Sequence, residues 1–392
     1  MRGLAGALLL LSSGTALHAK SMIEVPPYEG VYQPKGVDEI GLWNDADESE
    51  KQLSNSALLI RDEELTKYVK SVLCKTVGLD RCGKTRVYIM RVPIFNASMD
   101  HNGAIRVYSG LLLRVKSEAE LGSVLGHEFG HFEKRHGLQR FKKRRSGGDL
   151  VAWASILSSS YIQFQNTQLI VYGSYFSFSR ENEREADLLG LAYLKNGSLR
   201  PQSASLVWQN MIDEQMASAA GKGLKKPKFE SVAFFASHPS DLERASYLQS
   251  LAGPITQNQT EGREEYREAM KRWLPQFLND QIKLNDFGAS EYIINSLAKD
   301  GWTADLWHAR GELFRLRGNP RDHVNAVDFY HEAIALDPLK ADSYRGLGLS
   351  LLKTGQREGA TIAFNRFLEL SPNSKDASMI KLLMPPDAEI KP

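Results

Sequence analysis

The sequence predicts an α+β chain: a small sheet with two charged helices over residues 56–255, then an all-α repeat region over 261–380. Three observations carry this. Arg86–Val92 and Ala104–Tyr108 are short runs rich in β-branched and aromatic residues. Ser117–His136 and Ser179–Leu194 place apolar residues at helical spacing. From Glu261 onward the pattern is helical throughout, and from about Thr303 it repeats. The 392 residues, 42% hydrophobic and 24% charged, have an ordinary globular composition and are enough for two cores. A net charge of +2 supplies no bulk attraction to nucleic acid, which is not expected as a partner, and leaves any membrane affinity to local charge.

At the start, Arg2 precedes the apolar run Leu4–Leu11, and small residues lead on to Ala19. Residues 1–19 therefore read as a secretory signal peptide, too short to span a bilayer comfortably, and export to a bacterial periplasm is expected. In an exported protein the two cysteines, Cys74 and Cys82, are candidates for a disulfide worth about 2–3 kcal/mol. Residues 20–55, with Pro26, Pro27 and Pro34, read as an extended arm. Leu65, Val69, Val72 and Leu73 then predict a helix over Asp62–Val77, closed by Gly78. The two strands follow, the second introduced by Asn102-Gly103.

Ser117–His136 is the helix on which the chemistry is written. Ser117 and Glu120 have capping-box spacing, and Leu121, Val124, Leu125, Phe129 and Phe132 form a buried face. His127 and His131 are four residues apart, on one face and about 6 Å apart along the axis, so both imidazoles can reach one ion. Glu128 lies about 100° round from His127, beside that ion, where it can take a proton from water. This H-E-F-G-H is the metal-and-base half of a zinc centre. Two histidines and a water leave tetrahedral zinc one protein ligand short.

The basic run Lys142–Arg145 precedes Leu150–Ser179, a stretch with no charged residue. A single span there would put the two halves of the site on opposite sides of a membrane. Two spans would need about 40 apolar residues, and Ser158–Ser160, Gln163, Gln165, Asn166 and Gln168 interrupt this one. Two readings stand side by side: helices packed on the core, or a peripheral segment resting on an anionic membrane surface. Beyond it, S-R-E-N-E-R-E-A-D begins a second helix, with Leu188, Leu189, Leu191 and Leu194 after it. Glu183 and Asp187 share a face. One carboxylate can ligate zinc while the other accepts an N–H from a ligand histidine.

H-E-x-x-H followed by E-x-x-x-D resembles the gluzincin metallopeptidases. The form S-R-x-x-E-x-E-A-D resembles, within them, the family of the type I CAAX prenyl proteases and the stress protease HtpX. Asn96-Ala97-Ser98 with G-A-I-R-V-Y-S-G-L-L, and Ser237-His238-Pro239 with Arg244 beyond, are similar to further segments of that family. The resemblance implies a zincin-like core and one Zn²⁺ per chain, held by His127, His131 and Glu183. Asp187 would support a ligand, Glu128 would be the base, and polypeptides would be the substrates. His238 is a candidate to donate to the oxyanion or to fill zinc's open position at rest. His136, nine residues past His127, is expected behind the ligands or on the surface. Met99-Asp100-His101-Asn102 departs from the more apolar, glycine-rich turn of relatives. An exposed strand edge beside such a centre can hold substrate backbone.

In the helical region, Tyr344, Leu347, Gly348, Leu351, Gly355, Ala360, Phe364, Phe367 and Pro372 fit the tetratricopeptide pattern. Trp307, Gly311, Phe314, Gly318, Ala326, Tyr330, Ala333 and Pro338 form the unit before, with three extra residues expected between its helices near Asn319-Pro320. Trp273 and Ala289 sit in phase for a degenerate earlier unit. An export signal joined to such repeats is similar to periplasmic members of the family that serve β-barrel assembly. That implies degradation of misfolded or stalled envelope proteins, with client or assembly partners reached through the repeats. The alternative is a repeat-based chaperone or adaptor that cleaves only occasionally.

Overall fold

The computed structural model describes residues 24–146, 178–225, 227 and 244–384. The signal-like stretch 1–19, nearly all of 150–179 and His238 lie outside these residues.

The first element corrects the expectation of an extended arm. Residues 36–55 form helix α1 (Gly36–Asn55). Glu39, Leu42 and Ala46 recur at helical spacing and are its buried residues, a thin face easily hidden among acidic neighbours. Glu50 fixes its far end: it accepts from Arg86 Nη2 at 2.6 Å and from the Tyr88 hydroxyl at 2.7 Å. Asp62 then caps α2 (Glu63–Val77), accepting from the Glu64 and Leu65 amides. Leu65, Val69, Val72 and Leu73 point into the core, and Gly78, at φ 96°, ends the helix. A bond between Cys74 and Cys82, whose Cα atoms are 5.2 Å apart, ties α2 to the short α3 (Leu79–Cys82).

The sheet has three strands, β1 (Arg86–Met90), β2 (Ala97–Met99) and β3 (Ala104–Tyr108), in the order β1-β3-β2. The short β2 is absent from the sequence reading because three residues carry too little alternation to register. It forms a hairpin with β3 through Asp100–Gly103, antiparallel, while β1 runs parallel to β3. Leu58 and Ile60 bond along the outer side of β1. Among the described residues, no strand pairs with the outer side of β2.

After α4 (Ser109–Arg114) comes α5 (Glu118–Glu133), buried over nearly its whole length. Ser117 accepts from the Glu120 amide at 3.1 Å, whereas the Glu120 carboxylate takes the Lys116 amide instead of that of the cap. The Glu118 and Ala119 amides donate to the carbonyls of Gly262 and Glu261, so the start of α5 depends on chain more than 140 residues later. Helices α6 (His136–Ser146), α7 (Arg180–Asn196), α8 (Ser203–Gly221) and α9 (Arg244–Ala252) complete the surroundings of the site. Lys142, the first of the basic run, is ion-paired to Glu39 of α1 at 2.6 Å.

The remaining helices are α10 (Arg263–Met270), α11 (Leu274–Ile282), α12 (Phe287–Leu297), α13 (Ala304–Arg317), α14 (Pro320–Leu336), α15 (Ala341–Lys353), α16 (Arg357–Leu370) and α17 (Ala377–Leu383). The three extra residues near Asn319 do not lengthen a loop. Helix α14 has 17 residues against 14 in α16, and the surplus is a first turn with a capping box between Asn319 and Asp322. Gly311 and Gly346 lie against the Tyr330 ring, and Gly348 against that of Phe364; a Cβ at any of them would overlap the ring. Among the described residues, one apolar core is continuous from Ile60 to Ile380. Among the described residues, no helix is long and apolar enough to cross a membrane.

Candidate metal centre

The site exists because α5 and α7 cross almost in backbone contact. A Cβ on Gly130 would lie 3.1 Å from the Ala186 carbonyl oxygen, and one on Gly190 would lie 3.1 Å from the His127 nitrogen. The small residues Gly126 and Gly130 on α5 therefore meet Ala186 and Gly190 on α7, each pair spaced by four, on the same faces as the functional groups. This crossing brings Glu183 to the histidines.

His127 Nε2 and His131 Nε2 are 3.1 Å apart. Glu183 Oε2 lies 3.5 Å from the first and Oε1 3.4 Å from the second. All three residues are buried, and their ligand atoms lie within 4.8 Å of one another. The two Nδ1 atoms are turned elsewhere. His127 Nδ1 donates to Asp187 Oδ1 at 2.8 Å, and His131 Nδ1 is 2.9 Å from His136 Nδ1. Phe178 stacks on the His131 ring, centroids 4.0 Å apart. Both imidazoles thus present Nε2, with a carboxylate, to one point. Two borderline nitrogens, one oxygen and a buried setting are the donor set that zinc takes.

Asp187 and Glu183 are joined to a cation that the sequence reading noted only as a residue beyond Ser237-His238-Pro239. Arg244, 1% exposed, donates from Nε to Asp187 Oδ2 at 2.7 Å, from Nη2 to Asp187 Oδ1, and from Nη1 to Glu183 Oε2 at 3.0 Å. Its guanidinium lies 3.6 Å from the centroid of the Trp208 ring, a cation–π contact in a dry setting. The Tyr247 hydroxyl also donates to Asp187. Burial alone would raise the Asp187 carboxyl, but Arg244 and His127 hold it well below the usual carboxylate range. Burial would likewise lower His127, yet Asp187 and Glu183 outweigh it and lift the imidazole to about 9.

Glu128 is buried on α5, one residue from His127. His136, expected behind the ligands or on the surface, is fully buried behind His131, and burial lowers its pKa despite Glu185 beside it. Nothing in the i, i+4 pattern of the sequence points to this His136 contact, because the helix breaks before it.

Residues 60–252 match the model of peptidase family M48. These residues are an M48 peptidase domain. The chain is 30% identical over 208 residues to the mitochondrial metalloendopeptidase OMA1 of Schizosaccharomyces pombe, covering 52% of this chain and 57% of that protein. It is 25% identical over 246 residues to the beta-barrel assembly-enhancing protease of Yersinia pestis, covering 60% and 48%. With the metalloprotease YcaL of Escherichia coli it shares 30% over 157 residues, covering 39% and 57%. The chain thus spans about half the length of these relatives. His127, Glu128, His131, Glu183, Asp187 and Arg244 all lie inside the M48 domain.

Proposed function

We propose that the chain is a zinc-dependent endopeptidase of the periplasm that degrades misfolded or stalled outer-membrane proteins. The observation that carries the endopeptidase reading is the convergence of His127, His131 and Glu183 with Glu128 on the same buried helix. Those three residues would hold zinc, which would supply a Lewis acid able to make water more acidic and to polarise a peptide carbonyl. Glu128 takes the proton from the attacking water and passes it to the leaving amine. Asp187 holds the His127 ring in the tautomer that frees Nε2, and Arg244 holds Glu183 and Asp187 in place. The outer side of β2 would pair with an extended substrate, fixing its backbone beside the centre. Glu128→Gln is expected to abolish cleavage of an unfolded substrate such as casein, and a variant that still cleaves contradicts the assignment.

His238 keeps its candidate role toward the oxyanion or the open position. Unchanged turnover and zinc affinity in His238→Ala would remove it. Location and clients rest on the signal-like N-terminus and on the likeness to the beta-barrel assembly-enhancing proteases. Helices α13–α16 fit a pair of tetratricopeptide units, with Tyr330 and Phe364 filling against the glycines of the first helices. Such a surface would select clients before they reach the zinc. The same helices favour a second reading, in which the chain acts mainly as an adaptor. Complementation of a deletion strain by Glu128→Gln separates the two, since an adaptor needs no base.

A further inference from the structure

His131 turns its Nδ1 to another histidine. His136 Nδ1 lies 2.9 Å from it, and His136 Nε2 lies 3.0 Å from Glu185 Oε2. Glu185 Oε1 is in turn 2.8 Å from Lys134 Nζ. A ring nitrogen either donates or accepts, so the chain of contacts fixes every proton. If His131 offers the lone pair of Nε2 to a cation, its proton sits on Nδ1 and must be given to His136 Nδ1. His136 then carries its own proton on Nε2, where the Glu185 carboxylate accepts it. One pattern satisfies these contacts, and it needs both imidazoles neutral.

The backbone is bent to make this possible. In a continuous helix His136 would stand about 140° round from His131, facing away. Instead α5 stops at Glu133, and Arg135 adopts φ 57°, a left-handed conformation that residues other than glycine seldom take. That single residue turns α6 so that its first side chain returns against α5. The turn is held where it is by Arg135 over the Tyr32 ring, 4.7 Å from its centroid.

We infer that His136 and Glu185 are positioning residues for the metal ligand His131, a relay that does for it what the Asp187 carboxylate does for His127. The inference rests on the zinc reading of the site. Helix α7 then serves the centre three times within five residues: Glu183 as ligand, Asp187 behind His127, and Glu185 through His136 behind His131.

The test is zinc affinity by chelator competition on the full chain, with the fold of each metal-free variant checked by circular dichroism. His136→Leu, which keeps the volume and removes the acceptor, is expected to bind zinc 10–100-fold more weakly than the parent. His136→Asn, whose Oδ1 can accept from His131, is expected to recover most of that loss. Selective ¹⁵N-histidine labelling of the unsubstituted, zinc-loaded protein should place the His136 proton on Nε2, a readout that survives even if a variant fails to fold. Equal affinity of His136→Leu and the parent, equal losses in Leu and Asn variants, or a proton on His136 Nδ1 would each overturn the relay. Failure of the unsubstituted protein to bind one zinc would instead overturn the metal reading on which it stands.

Discussion

Arg244 is a cation with almost no access to water, held by the Glu183 and Asp187 carboxylates and the face of Trp208. Replacing it with Met keeps the bulk and leaves Asp187 and Glu183 buried without their counter-charge. Breaking a buried pair from one side costs about 3–5 kcal/mol, so chemical denaturation should show a loss of that size. Arg244→Lys should not restore it, because an ammonium cannot make the two-pronged contact to Asp187 or stack flat on an indole. A Lys variant as stable as the parent would mean the network matters less than its geometry suggests. The convergence of His127, His131, Glu183 and Asp187 was legible in the sequence because an interval of four fixes a helix face without knowledge of the rest of the fold. Arg244 and the His136 contact were not. One comes from a helix 57 residues beyond Asp187, and the other depends on a left-handed residue that no side-chain pattern announces.

Between the elements, the decisive contact is the crossing of α5 and α7. Gly190→Val would put branched carbons where a Cβ alone already lies 3.1 Å from the His127 nitrogen, and the flanking contacts are backbone that cannot swing aside. The helices must separate, at a cost of about 1–3 kcal/mol, and Glu183 must withdraw from the histidines. A chelator competition should then report weakened zinc binding along with the lower stability; parent-like zinc affinity in this variant would show that the crossing does not set the site. The sequence held this information as Gly126, Gly130, Ala186 and Gly190, yet small residues in a helix also read as mere indifference to packing. Helix α1 was hidden for a related reason. Its inward residues are Glu39, Leu42 and Ala46, only one of them a large apolar side chain, while nearby prolines and glycines suggested extended chain. Helix α2, with a strong apolar face and a capping residue, was readable to within a residue; α5 starts where its cap predicts but stops at Glu133, three residues short of the expected His136, because Arg135 is left-handed.

For the molecule as a whole, the M48 domain and the helices after it share structure. The free amides of α5 are answered by Glu261 and Gly262, the Tyr266 hydroxyl donates to the Leu112 carbonyl at 2.6 Å, and Arg91 pairs with Asp280 at 2.6 Å. A chain ending at residue 255 would lose these contacts and expose apolar surface that Tyr266, Met270, Phe277, Leu278 and Ile282 now help to cover. At about 1.5–3 kcal/mol for each large side chain, that is on the order of 10 kcal/mol, comparable with the whole stability of a domain. Such a truncation is expected not to fold into a zinc-binding form, and near-ultraviolet circular dichroism with metal analysis checks it. A truncated protein with native signal and one zinc per chain would contradict the shared core. The helical character of residues 304–370 was visible in the sequence from its apolar and small residues, but the dependence of α5 on residues 261–262 is a backbone contact and leaves no mark in composition.

The central claim is that His127, His131 and Glu183 hold zinc while Glu128 moves the proton. Metal content and peptide hydrolysis measured side by side on the unsubstituted protein, Glu128→Gln and Glu183→Ala test it directly. Glu128→Gln should keep one zinc per chain and lose about 10²–10⁴-fold or more of the rate, while Glu183→Ala should lose both metal and activity. Hydrolysis by Glu128→Gln at the parent rate, or full zinc retention in Glu183→Ala at parent affinity, would contradict it.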